Sequence, residues 1–362
     1  METNEGESRL MSAQDRELGI GIIGSGFMGQ TYARAIATQA QNARLTAVAG
    51  GTRASKLAEE YGIPAESAVD KLLNRDDVDI VCIATPHALH GQQGLAAAEA
   101  GKYLLIDKPM ATTVAACDAI LDACAERGLR CEITYTQRER ICNIETKRLL
   151  DSGELGRLCY LHNQQVVPNG MDTTPKWQLE PENVGILIGH GIHNIDQVRW
   201  FTGQEIVKVF AKVRSFDSRY RVDSTSDLLL TLEDGTVCTI FCSFEVPAPG
   251  IPRTSGATHV VCENGLIDSD WYGELRVSRG GGPWQVVAKQ ERIDWAGKGF
   301  LDPVRLKTYT ALIQRLVDGV LAGEPAGGTG WDGRQAVAVA AAAYESSRTG
   351  REVEIPLKKR PA

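Results

Sequence analysis

From Leu18 onward the chain alternates short apolar runs with amphipathic stretches. Leu18 to Ile23 reads as a strand, followed by a helix to about Gln39, a strand over Leu45 to Ala49 and a helix over Ala54 to Tyr61. Two further runs, Ile80 to Ala84 and Tyr103 to Ile106, flank an Ala-rich helical stretch from Gly91 to Ala100. Runs this apolar, spaced by helices of about 10–15 residues, predict parallel strands buried on both faces, hence a doubly wound α/β sheet. Cys131 to Tyr135 is expected as its sixth strand, closing this half near residue 140.

Beyond about Glu145 the period changes to strand-like alternation: Leu158 to Val167, Val207 to Val213, Leu228 to Leu232, Val237 to Phe244 and Val260 to Ile267. Glu233-Asp234-Gly235-Thr236 is a hairpin signal between two of these runs. A second, mostly antiparallel sheet is therefore expected. Two helices come next, about Pro303 to Leu321 and Asp332 to Ser347, with the last expected to pack back on the first half. The Gly-rich Ala326 to Gly330 reads as a plain loop. The expected organisation is a tail over 1–17, a first domain over 18–140 and a second domain over 141–362.

Composition sharpens this picture. With 362 residues, 43% hydrophobic and 23% charged, the chain has enough apolar residue for a sizeable core and a length that favours two domains. The 39 basic residues against 46 acidic ones give a net charge of −7, and no basic run exceeds Lys358-Lys359-Arg360, so a nucleic-acid partner is not expected. The longest apolar stretch, Ala336 to Tyr344, falls far short of the ~20 residues a membrane helix needs. Met1 to Glu17 is polar and acidic, without the pattern of a secretory signal, and reads as a loose tail on a cytoplasmic protein. Nine scattered cysteines without a Cys-x-x-Cys pair suit free thiols in a reducing compartment.

Gly24-Ser25-Gly26-Phe27-Met28-Gly29 fits G-x-G-x-x-G directly after a strand and at the opening of a helix. In that context Gly24 makes the tight turn, Gly26 admits a pyrophosphate to the backbone, and Gly29 lets helix and strand pack closely. At the end of the second strand, where a carboxylate would bind the ribose diol of NAD, the chain reads Ala49-Gly50-Gly51-Thr52-Arg53. Thr52 and Arg53 suit the 2′-phosphate of NADP, while amides of the Gly50-Gly51 turn still accommodate NAD. The choice between NAD and NADP stays open.

The fifth strand ends in Asp107-Lys108-Pro109, where strand ends gather ligands and an ammonium can hold an alcohol oxygen as charge develops on it. Gly189-His190-Gly191-Ile192-His193-Asn194-Ile195-Asp196 leads into a helix, and His193 is the candidate proton acceptor. The spacing of His190, His193 and Asp196 is compatible with a metal, but Asp196 serves equally as a hydrogen-bond partner and no other ligand cluster stands out, so no metal is expected.

In this order the motifs resemble the Gfo/Idh/MocA family of NAD(P)-dependent oxidoreductases, named for glucose-fructose oxidoreductase and inositol dehydrogenase. The resemblance runs from about Leu18 to Pro356 and rests on Gly24 to Gly29, Ala84-Thr85-Pro86-His87 with His90, Asp107-Lys108-Pro109, Ser152-Gly153-Glu154-Leu155-Gly156, and Gly191-Ile192-His193 with Asp196. It implies a Rossmann domain, a C-terminal α/β domain whose open sheet makes homodimer or homotetramer contacts, and a substrate cleft between them. It implies Lys108 and His193 as catalytic, and Thr85, Pro86, His87, His90 and Asp107 along the cofactor. Tyr135, Gln137, Arg138 and Trp177 fall at substrate-pocket positions, with His190 beside them.

Two departures stand out: His87 where the family more often has Asn, and Gly189 where many members carry an Asp. The implied reaction is hydride transfer between nicotinamide and a secondary hydroxyl, or the corresponding ketone, of a sugar, glycoside or cyclitol. An NAD-dependent glycosidase acting through transient oxidation, and a non-catalytic dinucleotide-binding regulator, are the alternatives on this fold.

Overall fold

The computed structural model describes residues 16–252, 255–324 and 328–356. The expected tail, apart from Arg16 and Glu17, lies outside the described residues, as do Ala326, Gly327 and Lys358-Lys359-Arg360.

The first half runs β1 (Leu18–Ile23), α1 (Phe27–Gln39), β2 (Ala43–Ala49), α2 (Ala54–Tyr61), β3 (Ala65–Glu66), α3 (Val69–Leu73), β4 (Ile80–Ile83), α4 (His87–Glu99), β5 (Tyr103–Ile106), α5 (Val114–Arg127) and β6 (Cys131–Ile133). The six strands are all parallel, in the order β3-β2-β1-β4-β5-β6. All six residues of β1 are buried, as expected of a strand covered by helices on both faces. The order reverses at β1/β4, so the carboxyl ends of these two strands open the crevice in which such sheets bind ligands. α4 begins four residues before the expected Gly91, which puts His87 and His90 on its first turn.

A 3₁₀ turn (Thr136–Glu139) and α6 (Ile141–Ser152) lead to the second half. Next come β7 (Leu158–Pro168), the short α7 (Gly170–Thr173), a π turn (Leu187–Gly191), α8 (Ile192–Thr202), β8 (Ile206–Arg214), β9 (Thr225–Leu232), β10 (Val237–Val246), β11 (Gly256–Cys262), β12 (Gly265–Asp270), β13 (Glu274–Arg279) and β14 (Gln285–Lys289). α9 (Pro303–Leu321), α10 (Gly330–Thr349) and β15 (Val353–Glu354) end the chain. The nine strands form one sheet, β14-β13-β12-β11-β7-β10-β9-β8-β15, parallel only at β7/β10.

Val260 to Ile267, read from sequence as one strand, is instead a hairpin: Cys262 pairs with Gly265, and Glu263-Asn264 make the turn. The apolar residues on either side concealed an Asn-Gly turn signal. Likewise Gly330 opens α10 rather than ending a loop.

α6, α8 and α10 cover one face of the second sheet. The other face exposes Tyr160, Phe210, Leu229, Val237, Val261 and Leu266. α9 lies on α1, where Leu306, Ile313 and Leu316 join a core with Leu18, Ile20 and Ile36. α10 lies against α5, β6, α8 and β8, and its Ala336, Val337 and Ala340 belong to a core that contains Ile106 and Ile133 of the first sheet and Val209 and Ala211 of the second. One apolar core thus runs through both sheets and fixes the cleft between them.

Candidate active site

Each glycine of the first turn is small for a different reason. Gly24 has φ +106°, and a Cβ there would stand 2.6 Å from the carbonyl oxygen of Ala84. A Cβ on Gly29 would stand 2.0 Å from the carbonyl oxygen of Gly24. A Cβ on Gly26 would meet no neighbouring atom of the described residues within 4 Å, and as the N-cap of α1 Gly26 brings no side chain to the first-turn amides. A pyrophosphate fits that open cradle at a helix N-terminus.

Ser25 is turned inward: its hydroxyl donates to the Gly50 carbonyl (3.0 Å) and accepts from the Arg53 amide (3.1 Å), bracing the Gly50-Gly51 turn rather than facing a ligand. Gly51, Thr52 and Arg53 are exposed at the end of β2, and no carboxylate stands there. The Phe27 ring packs on Phe300 at 4.3 Å, while Met28 is half-buried against the core.

At the end of β4, the Thr85 hydroxyl donates to Gln93 (2.6 Å), and Pro86 is the N-cap of α4. His90 is fully buried with its two ring nitrogens 2.7 Å from the Pro109 carbonyl and 2.8 Å from that of Thr85, so it ties two loops together and has no ring nitrogen left for a cofactor. Asp107 is likewise committed to the interior, accepting from Tyr32 and Thr134 at 2.7 Å each.

Lys108 points across the cleft. Its ammonium donates to the Gly189 carbonyl at 2.7 Å, and burial lowers its pKa, with Asp107 partly opposing. Gly189 lies in the π turn, an insertion of a kind often found at functional sites, that leads into α8 and His193. His193 is 7% exposed, and its Nδ1 is buried without a hydrogen-bond partner among the described residues. Burial, then the charges of Lys108 and Arg140, pull its pKa down to about 3, so the imidazole is neutral.

His190 lies against Gln178 (3.3 Å) and the Phe244 ring (4.5 Å), and burial and Lys108 also keep it neutral. A Cβ on Gly189 would come within 3.3 Å of His87 Cε1, so the two departures from the family pattern are spatially one: the imidazole borders the space a side chain at 189 would need. His87 Nδ1 meets the Asn183 carbonyl (3.1 Å), Trp177 stands edge-on to its ring at 4.9 Å, and Asn183 Oδ1 accepts from the Ala88 amide (3.1 Å). Asn183 thereby clamps the second half onto the start of α4.

The expected β6 continuation stops at Ile133, and the 3₁₀ turn redirects the chain beyond it. Tyr135 is fully buried, its ring 6.1 Å from that of His193 and its hydroxyl without a partner among the described residues. Gln137 donates to the Tyr272 hydroxyl (3.1 Å). Arg138, expected at the substrate, is instead consumed by an internal ion-pair network. Its Nε and Nη2 donate to Asp196 at 2.9 and 2.5 Å, and Nη2 also reaches Asp332 at 3.0 Å. Asp332 in turn meets Arg199, which forks onto Glu205. Asp196, with its carboxylate on Arg138, does not face the histidines as a ligand, and among the described residues no group of three or more His, Cys, Asp or Glu is placed to hold a metal.

Sequence reasoning missed Arg140, Tyr272 and Asn183. An extended chain would have put residues 138 and 140 on one face; a turn of about three residues per revolution sends them apart.

A six-stranded parallel sheet whose first turn is open only in front of Gly26, with Lys108 and the His193 turn meeting at its carboxyl edge, has the build of a nicotinamide-dinucleotide oxidoreductase. Residues 18–135 match the oxidoreductase family with an NAD-binding Rossmann fold, and residues 144–268 match the GFO/IDH/MocA C-terminal domain. The chain is 30% identical over 352 residues to inositol 2-dehydrogenase 2 of Saccharopolyspora erythraea, covering 95% of this chain and 97% of that one. It is 28% identical over 359 residues to inositol 2-dehydrogenase of Salmonella typhimurium, covering 93% and 97%. Among solved structures, aldose-aldose oxidoreductase of Caulobacter crescentus, complexed with glycerol, superposes with a TM-score of 0.78 at 26% identity, covering 94% of this chain and 100% of that one. This chain therefore belongs to the Gfo/Idh/MocA family of oxidoreductases.

Proposed function

We propose that the protein is an NAD(P)-dependent dehydrogenase that oxidises a secondary hydroxyl of a sugar, glycoside or cyclitol, or reduces the corresponding ketone, with Lys108 and His193 as its catalytic residues. The observation that carries this reading is the 2.7 Å contact between the Lys108 ammonium and the Gly189 carbonyl, on the turn that delivers His193. The kinship with inositol 2-dehydrogenases supports a polyol substrate.

The residues around Gly26 and at the end of β2 hold the dinucleotide, whose nicotinamide supplies the acceptor for a hydride from the carbinol carbon. As the C–H bond breaks and C=O forms, His193 takes the hydroxyl proton and Lys108 holds the oxygen by charge-assisted hydrogen bonding. Burial serves both roles: it keeps His193 neutral and able to accept, and it strengthens the field of Lys108 at the oxygen. Tyr135, Trp177 and His190 line the substrate side. Ser25, His90 and Asp107 support the loops instead of touching a ligand.

Lys108→Ala is expected to retain the dinucleotide but lose about 10²–10⁴ in kcat, read as reduced-nicotinamide absorbance with a panel of sugars, glycosides and cyclitols. A variant that oxidises its substrate at the wild-type rate overturns the assignment. Mass spectrometry of the co-purifying dinucleotide decides between NAD and NADP.

The exposed apolar face of the second sheet supports a homo-oligomer, and Leu229→Asp is expected to reduce the sedimenting mass. No helix among the described residues is long and apolar enough to cross a membrane, and the nine cysteines are unpaired, which suits a cytoplasmic setting.

A further inference from the structure

Arg140 is the N-cap residue of α6 and only 2% exposed. Its guanidinium stacks 4.7 Å from the centroid of the Tyr272 ring, and its Nε and Nη1 are buried without a hydrogen-bond acceptor among the described residues. Among the described residues no carboxylate pairs with it, in contrast to Arg138 and Arg199 close by, each of which meets two acidic residues. An isolated buried charge is strongly unfavourable unless an opposite charge arrives to meet it.

The rest of the neighbourhood is equally unsatisfied. Nδ1 of His193 and the Tyr135 hydroxyl are both buried and have no hydrogen-bond partner among the described residues. Glycine at 189 brings no side chain, the Asp107 carboxylate accepts from Tyr32 and Thr134, and the two cations acting on the neutral His193 are Lys108 and Arg140. Lys108 acts on all three of His87, His190 and His193, joined by His90 at His87, by His87 and His193 at His190, and by Arg140 at His193.

Resting on the dehydrogenase reading above, we propose that the substrate is a polyhydroxylated carboxylic acid, an aldonic or uronic acid, whose carboxylate is bound by Arg140 while the reacting hydroxyl lies between Lys108 and His193. A neutral polyol leaves the guanidinium unpaired; a carboxylate supplies the acceptors its planar fork lacks. Binding has a second consequence. Burial, then Lys108, then Arg140 lower the pKa of His193, so a carboxylate placed on Arg140 removes the last of these contributions and makes His193 a better proton acceptor when an acidic substrate is in place.

The test uses the protein loaded with its dinucleotide. Calorimetric titration with D-gluconate and D-glucuronate, and with the neutral D-glucitol and D-glucose, compares acids with neutral counterparts without requiring turnover. The acids are expected to bind about 10–100-fold more tightly, the range for a charge-assisted hydrogen-bonded pair. Arg140→Met should abolish that preference, Arg140→Lys should keep part of it, and both should bind the dinucleotide as the wild type does. Because Met fills similar volume without the unpaired charge, its melting temperature should equal or exceed that of the wild type.

Equal binding of acids and neutral sugars by the wild type overturns the proposal, as does loss of dinucleotide affinity in Arg140→Met, which would make the cofactor the anion that Arg140 meets. Oxidation of neutral sugars alone overturns the acid assignment while leaving the dehydrogenase reading intact. Tight acid binding with no nicotinamide reduction by any compound that binds leaves the anion site standing and removes the dehydrogenase reading.

Discussion

Replacing Arg138 by Met separates a structural role from a substrate-binding one. Five charged groups make up the network under α8: Arg138 and Arg199 against Asp196, Asp332 and Glu205. Asp196 is 1% exposed and its carboxylate receives two hydrogen bonds from Arg138. Arg138→Met removes both and leaves one cation against three anions, the worst of them fully buried. Breaking a buried pair in this way costs about 3–5 kcal/mol, which in a chain of this size lowers Tm by roughly 4–7 °C.

Asp196→Asn is milder, since it leaves two cations against two anions and retains one acceptor for Arg138; about 1–2 kcal/mol is expected. Arg138→Met/Asp196→Leu removes both charges together and should be less destabilising than Arg138→Met alone. Thermal unfolding followed by circular dichroism gives the three values, and steady-state kinetics gives KM. An Arg138→Met protein that melts within about 2 °C of the wild type while KM rises tenfold or more would refute the structural role and return Arg138 to the substrate pocket.

The site sets three further outcomes. Gly29→Ala puts a methyl 2.0 Å from the Gly24 carbonyl oxygen, so the turn must open, and dinucleotide affinity measured by fluorescence titration should fall at least tenfold. His193 has a folded-state pKa of about 3 against ~6.5 unfolded, so the unfolded chain binds the extra proton; stability from this group is complete above pH ~6.5 and is lost as pH falls toward 3, roughly 2 kcal/mol at pH 5. His193→Gln should therefore flatten the decline of unfolding free energy between pH 7.5 and 5, and an unchanged slope would contradict a neutral buried imidazole. Burial lowers the pKa of Lys108, so the alkaline limb of kcat/KM should begin below the usual lysine range and move upward in Lys108→Arg if that variant stays active.

The parallel half of the fold was legible because its signals are local. A strand buried on both faces is apolar at every position, as β1 is, and the last glycine of its turn is fixed by a clash with the carbonyl of the first, Gly24. The bounds of β1, α2, β5 and α9 therefore emerge from hydrophobic periodicity and caps. The hairpin of β11 and β12 was hidden because its turn sits inside an apolar run, where a local reading sees only continuity.

What the sequence could not decide was the direction of side chains whose partners lie far along the chain. Arg138 and Arg140 are the same residue type two positions apart, yet one is neutralised by Asp196 and Asp332, 58 and 194 residues further on, while the other is buried without a counter-charge among the described residues. Asp107 and His90 carried equal promise as ligand-binding groups until Tyr32, Thr134 and the Pro109 and Thr85 carbonyls satisfied them. Residue type and spacing determine which chemistry is available. Only packing, by satisfying some polar groups and orphaning others, determines which of them face a substrate.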